Sequence, residues 1–405
     1  MAVRKLAAMV FFLGGWALSG SPAAAEILTA ERIAELEACG ATVTLRESET
    51  EIGRLYGALF SPPDGDAAPA EQPYSRGIAV IIGVSKFAPG SGLADLPGVH
   101  KDVEAMSRLL LAKDGSDLGY DVLVRLEDEN ATGDNVLCLM ENALRDEMRE
   151  TDRLFFYWAG HGIDRKAGAT REGYLAFHDT KRKTLNRRTA LPMSTIEDWS
   201  ADPGFFLNVR QAVFVLDACF SGLATRVTRS ERSAEPLASS RDVGDYGKFL
   251  RSYTRIGKPA HVILAAADSD NPTREGPEGG FFTQQLTEFL SGKVTPEDNG
   301  EGVWNQYVLM QHLTTRMLQM DNPGRPQMQF VSGAYTDQQH RSQNREPDMF
   351  FLSTGSPLIS RFADLRRANE EKLEAARQKG ASEAAAQIPG DTSQKSATGP
   401  AGGDV

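Results

Sequence analysis

Gln211-Ala212-Val213-Phe214-Val215-Leu216-Asp217-Ala218-Cys219-Phe220-Ser221-Gly222 is the stretch from which the architecture of this 405-residue chain is inferred. Its apolar run, residues 212–216, ends abruptly at a polar cluster that is closed by Ser-Gly. A short apolar run bounded by a turn signal predicts a strand that is buried on both faces. Open α/β sheets hold their ligands just beyond the carboxyl ends of such strands, and Cys219 would lie there.

A second stretch has the same form, Arg153-Leu154-Phe155-Phe156-Tyr157-Trp158-Ala159-Gly160-His161-Gly162. Another apolar run ends at a histidine between two glycines, and this His161 precedes Cys219 by 58 residues. That length accommodates one crossover, so two parallel neighbouring strands would bring the imidazole and the thiol together. A thiolate is the nucleophilic form of cysteine, and an adjacent imidazole lowers the thiol pKa from about 8.5. The pair therefore predicts a cysteine nucleophile with a histidine partner.

Apolar runs alternate with helical patterns along most of the chain. One such pattern has Val99, Val103, Met106 and Leu110 at helical spacing. Strands that alternate with helices predict an α/β fold with a mostly parallel central sheet and helices on both faces. The predicted strands cover residues 77–84, 121–126, 153–159, 212–216, 260–267 and 349–352.

Together, the two motifs resemble those of the caspase-like cysteine peptidases, and the metacaspase branch more than the animal caspases. The resemblance extends from about Arg76 to about Thr354. It implies a three-layer caspase-like fold and peptide hydrolysis by a dyad of His161 and Cys219. It also implies that the backbone N–H groups of Gly162 and Cys219 bind the oxyanion of the reaction.

Two aspartates are candidates for binding the substrate side chain. In metacaspases an aspartate two residues before the cysteine binds Arg or Lys, and Asp217 matches it. A second one falls in the run Gly98-Val99-His100-Lys101-Asp102, where Asp102 matches but the family's Cys and Asn do not. Ala159 also stands where the family has serine. Two carboxylates that face one cleft would attract a guanidinium, although Asp102 could instead be a first-turn helix acid.

The predicted activity is endopeptidase cleavage after Arg or Lys, in protein or peptide substrates with basic residues. The alternatives are a catalytically silent caspase-like scaffold and a peptidase with a different primary specificity. The formal net charge of −11 does not predict a broad basic surface, so nucleic acid is not an expected partner. Residues 279–283 also resemble the family, without an assignable role.

No cofactor or metal is predicted. Many metacaspases use calcium through clustered aspartates that follow the histidine. Between Gly162 and Pro192, however, Asp164 and Asp179 stand apart from each other. Calcium is therefore possible but not supported by the sequence.

The N-terminus has the form of a secretory signal peptide over residues 1–25. Arg4 and Lys5 precede an apolar run at residues 6–18, and the small residues up to Ala25 suit a cleavage site. An uncleaved anchor is the alternative, and no other stretch is long and apolar enough to span a bilayer. We therefore expect an exported protein that is periplasmic or extracellular.

Composition divides the rest of the chain into three parts. Residues 26–75 combine a helix near residues 29–38 with a Pro-rich linker, and they could form a pro-region. Residues 76–354 form the predicted caspase-like peptidase domain. Residues 355–405 begin as a charged helix and end in a tail rich in Ala, Gly and Ser, which is typical of disorder.

Three cysteines are too few for a disulfide framework. Cys138 lies in an apolar helical stretch, where it could be a small core residue. Alternatively, it could form a disulfide with Cys39 in an oxidising compartment. Cys219 would then be the odd thiol, which suits a reactive role.

Overall fold

A computed structural model describes most of the chain. The predicted signal peptide, the linker at residues 61–74 and the tail beyond residue 386 lie outside the described residues. The described ranges are 27–60, 75–112, 116–167, 170–224, 259–268, 270, 272–276, 278–293, 303–320, 324–330 and 349–386.

A seven-stranded sheet forms the centre of the molecule. The five inner strands are parallel to one another, whereas the strand at each edge is antiparallel to its neighbour. From one edge of the sheet to the other, with numbers that follow the chain, the strands are β1 (Thr42–Leu45), β3 (Val122–Glu127), β2 (Gly77–Gly83), β4 (Arg153–Ala159), β8 (Gln211–Asp217), β9 (Ala260–Ala265) and β13 (Gln327–Phe330).

Three smaller sheets among the described residues are built from segments outside the central sheet. Two of them lie beside the carboxyl ends of the parallel strands, where the predicted site residues are found. The small sheets consist of β5 (Gly162–Ala167), β6 (Thr170–Leu175) and β7 (Leu191–Pro192); of β10 (Glu275–Gly276) and β11 (Gly279–Gly280); and of β12 (Val303–Asn305) and β14 (Phe350–Leu352).

Helices cover the sheet, and two of them are capped at the N-terminus by a threonine side chain. Thr29 accepts a hydrogen bond from the backbone N–H of Arg32, and Thr132 accepts one from Asn135. The helices are α1 (Ala30–Ala38), α2 (Glu51–Phe60), α3 (Pro97–Leu110), α4 (Gly133–Cys138), α5 (Leu144–Glu147), α6 (Ser194–Ala201), α7 (Phe281–Leu290), α8 (Gln306–Gln319) and α9 (Pro357–Ala386), with a π-helical turn at Leu139–Ala143.

Alternate residues of each inner strand enter two separate hydrophobic cores, one on each face of the sheet. In β2, Val80 and Ile82 belong to the core that α1, α4 and α6 cover. Ala79 and Ile81 belong to the opposite core, which α3, α7 and α8 cover. This two-sided burial explains why the inner strands read as continuous apolar runs. The predicted three-layer α/β fold with a mostly parallel sheet is confirmed.

The structure differs from the sequence prediction at the edges of the sheet. Neither β1 nor β13 was predicted, and residues 349–352, predicted as a strand, pair with β12 outside the central sheet. Thr42–Leu45 alternates between exposed and partly buried side chains, so this edge strand lacks the apolar run that marks the inner ones.

Segments from both ends of the described chain pack together. α2 and α9 share a hydrophobic cluster with β14, in which Tyr56, Phe60, Phe350, Leu358 and Phe362 are buried. The helix predicted to be charged thus also has a buried face at its N-terminal end. It continues to Ala386, so the first part of the Ala-rich stretch, whose composition is typical of disorder, is helical.

A disulfide joins Cys39, which follows α1, to Cys138, the last residue of α4. The second of the two alternatives for Cys138 is therefore the one the structure contains. Among the described residues, no helix combines the length and apolar character needed to cross a bilayer.

Candidate active site

The parallel pairing of β4 with β8 brings the two sequence motifs to the same edge of the sheet. Ala159 and Asp217 are register partners at the ends of these strands, and the Gly160 N–H donates to the Asp217 carbonyl at 3.3 Å. His161 and Cys219 each follow two residues later. Both line one cavity of about 110 Å³, as do Asp102 and Asp217. The four predicted site side chains therefore share a single cavity.

His161 is oriented by a backbone carbonyl. Its Nε2 lies 2.8 Å from the Ala94 oxygen, and its ring centre lies 5.1 Å from that of Phe87. Because a carbonyl oxygen only accepts, this contact assigns the proton to Nε2 and gives Nδ1 the role of proton acceptor. Burial lowers the pKa of His161, the bond to Ala94 opposes this effect, and the positive charge of Arg182 adds to it. The neutral imidazole is thereby favoured.

Cys219 is partly buried, and it is not part of the disulfide. The backbone of Gly162 lies directly against it: a Cβ on Gly162 would come within 1.7 Å of the Cys219 carbonyl oxygen. Only glycine fits at such a distance. The two residues whose N–H groups are predicted to bind the oxyanion are thus neighbours, and that role stays a prediction.

The residue that follows the cysteine has an unusual backbone. Phe220 has φ of 57°, which is rare for a bulky side chain and costs about 1–2 kcal/mol. Ser221 then begins a short 3₁₀ turn, and its Oγ accepts a hydrogen bond of 3.1 Å from the Ala267 N–H. Contacts with surrounding loops must therefore maintain the conformation of this segment.

The two candidate carboxylates are both buried next to Gly280. Asp102 is 3 % exposed, and its two oxygens accept from the Gly280 N–H at 2.9 and 3.0 Å. Asp217 is 8 % exposed and accepts from the Thr283 hydroxyl at 2.6 Å. A Cβ on Gly280 would lie 2.8 Å from one Asp217 oxygen and 3.2 Å from one Asp102 oxygen. Buried carboxylates need such donors, and the pair forms an acidic wall of the cavity.

Tyr157 also contributes to the hydrogen bonding of Asp217, through Thr283. The Tyr157 hydroxyl lies 2.6 Å from the Thr283 hydroxyl, whose own hydrogen is donated to Asp217. Tyr157 must therefore donate to Thr283, which makes a chain of two hydrogen bonds that ends at the carboxylate. The resemblance of residues 279–283 to the family was the only sequence signal for Gly280 and Thr283. Ala94 carries no such signal, because it acts through its backbone.

The aspartates considered for calcium lie apart in the structure. Asp164 pairs with Arg171 at 2.8 Å, whereas Asp179 accepts from the Gly133 N–H at 3.3 Å. Within the part of the chain that the structure describes, no three His, Cys, Asp or Glu side chains are grouped so that they could hold a metal ion.

The sequence matches the family described as Caspase domain over residues 76–341, which is more than half of the chain. The chain belongs to the caspase domain family. The resemblance inferred from the two motifs is thereby confirmed, and the domain is a caspase-like cysteine peptidase domain.

A curated relative is a probable protease from a Desulfuromonadales bacterium, 25% identical over 227 residues. The match covers 53% of this chain and 26% of that protein, so the chain spans about a quarter of the relative's length. Two solved structures have similar folds. A Geobacter sulfurreducens protein has a TM-score of 0.41 at 15% identity, covering 63% of this chain and 92% of its own. Caspase-1 from Spodoptera frugiperda has 0.39 at 14%, covering 63% and 86%.

Proposed function

We propose that this caspase domain protein is an exported cysteine endopeptidase that cleaves peptide bonds after Arg or Lys. The observation that carries the proposal is the single cavity lined by His161, Cys219, Asp102 and Asp217. A nucleophile, a base and two buried carboxylates thus lie within reach of one bound peptide.

The reaction is acyl transfer in two steps. The Cys219 thiol gives its proton to Nδ1 of His161, and the sulfur attacks the carbonyl carbon of the scissile bond. His161 then protonates the leaving amine, which leaves a thioester. Water, deprotonated by the same ring, attacks the thioester, releases the acid and restores the thiol. The Ala94 carbonyl holds the ring throughout.

Negative charge on the carbonyl oxygen would be stabilised by the backbone N–H groups of Gly162 and Cys219. The close contact between these two backbones supports the assignment. Loss of one comparable donor in a serine protease costs about 2.7–4 kcal/mol of transition-state stabilisation.

The acidic wall supports the preference for Arg or Lys. Asp102 and Asp217 are both buried beside the cavity, where their charges are poorly screened by water. A guanidinium or ammonium group that enters would form charge-assisted hydrogen bonds with them.

Export is supported by two independent features. Residues 1–25 have the three-part pattern of a signal peptide. The second feature is the Cys39–Cys138 disulfide. Disulfides persist in oxidising compartments and are rare in the cytosol of mesophiles. A periplasmic or extracellular location fits both.

The test uses residues 26–405 with fluorogenic peptides that end in Arg, Lys or Asp. We expect cleavage of the first two only, and none by Cys219→Ala. Asp217→Asn should lower kcat/KM for basic peptides by roughly 10- to 150-fold, since a hydrogen bond to a charged group contributes about 1.5–3 kcal/mol. Asp134→Asn, at an exposed position of α4, is the matched control and should match the wild type.

Other outcomes would contradict parts of the proposal. Cleavage after Asp would rule out the acidic wall as the specificity pocket. If no peptide is cleaved and Cys219 does not react with iodoacetamide, the chain is better explained as a scaffold. Equal cleavage by the wild type and Cys219→Ala would reveal a contaminating peptidase.

A further inference from the structure

One arginine side chain contacts three segments around the nucleophile. Arg171 lies on β6, and its Nη2 is 2.8 Å from Asp164 Oδ2 on the neighbouring strand β5. Its Nη1 is 2.6 Å from Asp270 Oδ1, in the loop that follows β9. The guanidinium carbon lies 5.8 Å from the ring centre of Phe220, the residue after Cys219.

The contact with Phe220 matters because the backbone conformation of that residue is intrinsically unfavourable. A phenylalanine with φ of 57° requires external contacts, and the Arg171 cation over the ring face is one of them. The same hairpin also contacts the turn that follows. A Cβ on Gly173, two residues after Arg171, would lie 2.9 Å from the Leu223 Cβ. The β5–β6 hairpin therefore supports the nucleophile segment at two points.

The ion pairs keep Arg171 in place. Hydrogen bonds with Asp164 and then Asp270 hold the pKa of Arg171 above its usual value, so the side chain is charged at every relevant pH. A planar guanidinium can bond to two carboxylates in fixed directions, which a lysine ammonium cannot reproduce. The Asp270 loop is itself braced, because the Asp270 N–H donates to the Asp268 carboxylate at 2.7 Å.

We infer that Arg171 is a positioning residue of the peptidase site. It fixes Phe220, and through it the sulfur and N–H of Cys219, and it ties this segment to the loop after β9. The inference rests on the proposed peptidase function for its kinetic consequences, but the reactivity of the thiol reports on it separately.

The main test compares Arg171→Gln with Arg165→Gln, an exposed arginine of the same hairpin that serves as the matched control. We expect Arg171→Gln to lower kcat on an Arg-ended peptide about tenfold and to change KM less than twofold, because the nucleophile is misplaced while Asp102 and Asp217 are untouched. The rate of Cys219 alkylation by iodoacetamide should also change. Arg171→Lys should recover part of kcat, and Arg165→Gln should match the wild type.

A second variant keeps the test decisive if Arg171→Gln does not fold. The side chain of Asp270 is 76 % exposed, so Asp270→Asn removes the ion pair with Arg171 without disturbing the hydrophobic core. It should lower kcat in the same direction by a smaller factor, and in the double variant with Arg171→Gln it should add nothing further.

The inference is wrong if Arg171→Gln and Arg165→Gln agree within twofold in both kcat and alkylation rate. In that case the proposed peptidase function is unaffected. If the wild type cleaves no peptide, the proposed function fails instead. The alkylation rates of the wild type and Arg171→Gln still decide whether Arg171 positions the thiol.

Discussion

At the scale of single residues, Gly162 has the least room for a side chain among the glycines that the structure describes. Its backbone lies against the Cys219 carbonyl, and a Cβ there would lie 1.7 Å from that oxygen. We predict that Gly162→Ala lowers kcat/KM at least about 100-fold, because the Cys219 segment must move away from the added Cβ by more than about 1 Å. Peptide cleavage and iodoacetamide alkylation measure the effect.

The matched control is Gly355→Ala, where no atom lies within 4 Å of the added Cβ. This variant should retain wild-type activity and a wild-type melting temperature. Full activity in Gly162→Ala would mean that the described contact between the two loops does not persist in solution.

The pH profile tests the environment of His161. Burial lowers its pKa below the ordinary 6.5, so the ring stays neutral, and able to accept the thiol proton, to a lower pH than an exposed histidine would. We predict that the acid limb of kcat/KM lies below pH 6.5. Arg182 contributes to the lowering by charge repulsion, so Arg182→Gln should move the limb to higher pH.

Salt provides the control for this shift. Arg182 is exposed, so the difference between the wild type and Arg182→Gln should shrink as ionic strength rises. A limb that moves to lower pH in Arg182→Gln would contradict the assignment of the titrating group to His161.

At the scale of secondary-structure elements, the inner strands were predictable and the edges were not. β2, β4 and β8 are buried along their whole length, and the interior of each sequence is a continuous apolar run. β1 is half exposed, and it becomes a strand because β3 presents an open edge to it. Edge pairing is decided by the rest of the fold, so a short mixed sequence carries little signal for it.

The disulfide links two elements that are distant in sequence. Cys39 and Cys138 are separated by 99 residues and join α1 to α4. A cross-link that closes a loop of this size typically contributes about 2–5 kcal/mol, mainly by restricting the unfolded chain. We predict that Cys39→Ser lowers the free energy of unfolding by this amount in urea titrations without reductant.

Cys219→Ser serves as the control, because Cys219 lies outside the disulfide, and it should leave the unfolding midpoint unchanged. In the presence of dithiothreitol, the wild type should become as unstable as Cys39→Ser. If the wild type and Cys39→Ser are equally stable without reductant, the Cys39–Cys138 disulfide does not form in solution.

At the scale of the whole molecule, the candidate site divides into a predictable and an unpredictable part. His161 and Cys219 follow strand ends, and Asp217 is the last residue of β8. Parallel neighbouring strands bring such ends together, so sequence reasoning was enough to group these residues. Gly280 reaches the site from the short β10–β11 hairpin and Ala94 from the loop between β2 and α3, and the paths of both connections depend on tertiary packing. No local pattern of residue types specifies where a carbonyl or an N–H group from such a loop will point.

The ends of the described chain illustrate the same limit on a larger scale. α2 and α9 are separated by most of the sequence, yet they bury Tyr56 and Phe362 in one cluster. Composition indicated a charged C-terminal helix, but the apolar residues at its start, Leu358 and Phe362, have a partner only in the folded molecule.

The bond between Cys39 and Cys138 also constrains how this protein could be matured by proteolysis. Hydrolysis anywhere in residues 61–74 would interrupt the polypeptide between α2 and β2, yet both fragments would remain covalently attached. The smaller fragment would also keep its place as an edge strand beside β3. Release of residues 27–60 therefore requires reduction of the disulfide as well as cleavage of a peptide bond. In an oxidising environment, the cleaved protein would remain a molecule of two linked chains.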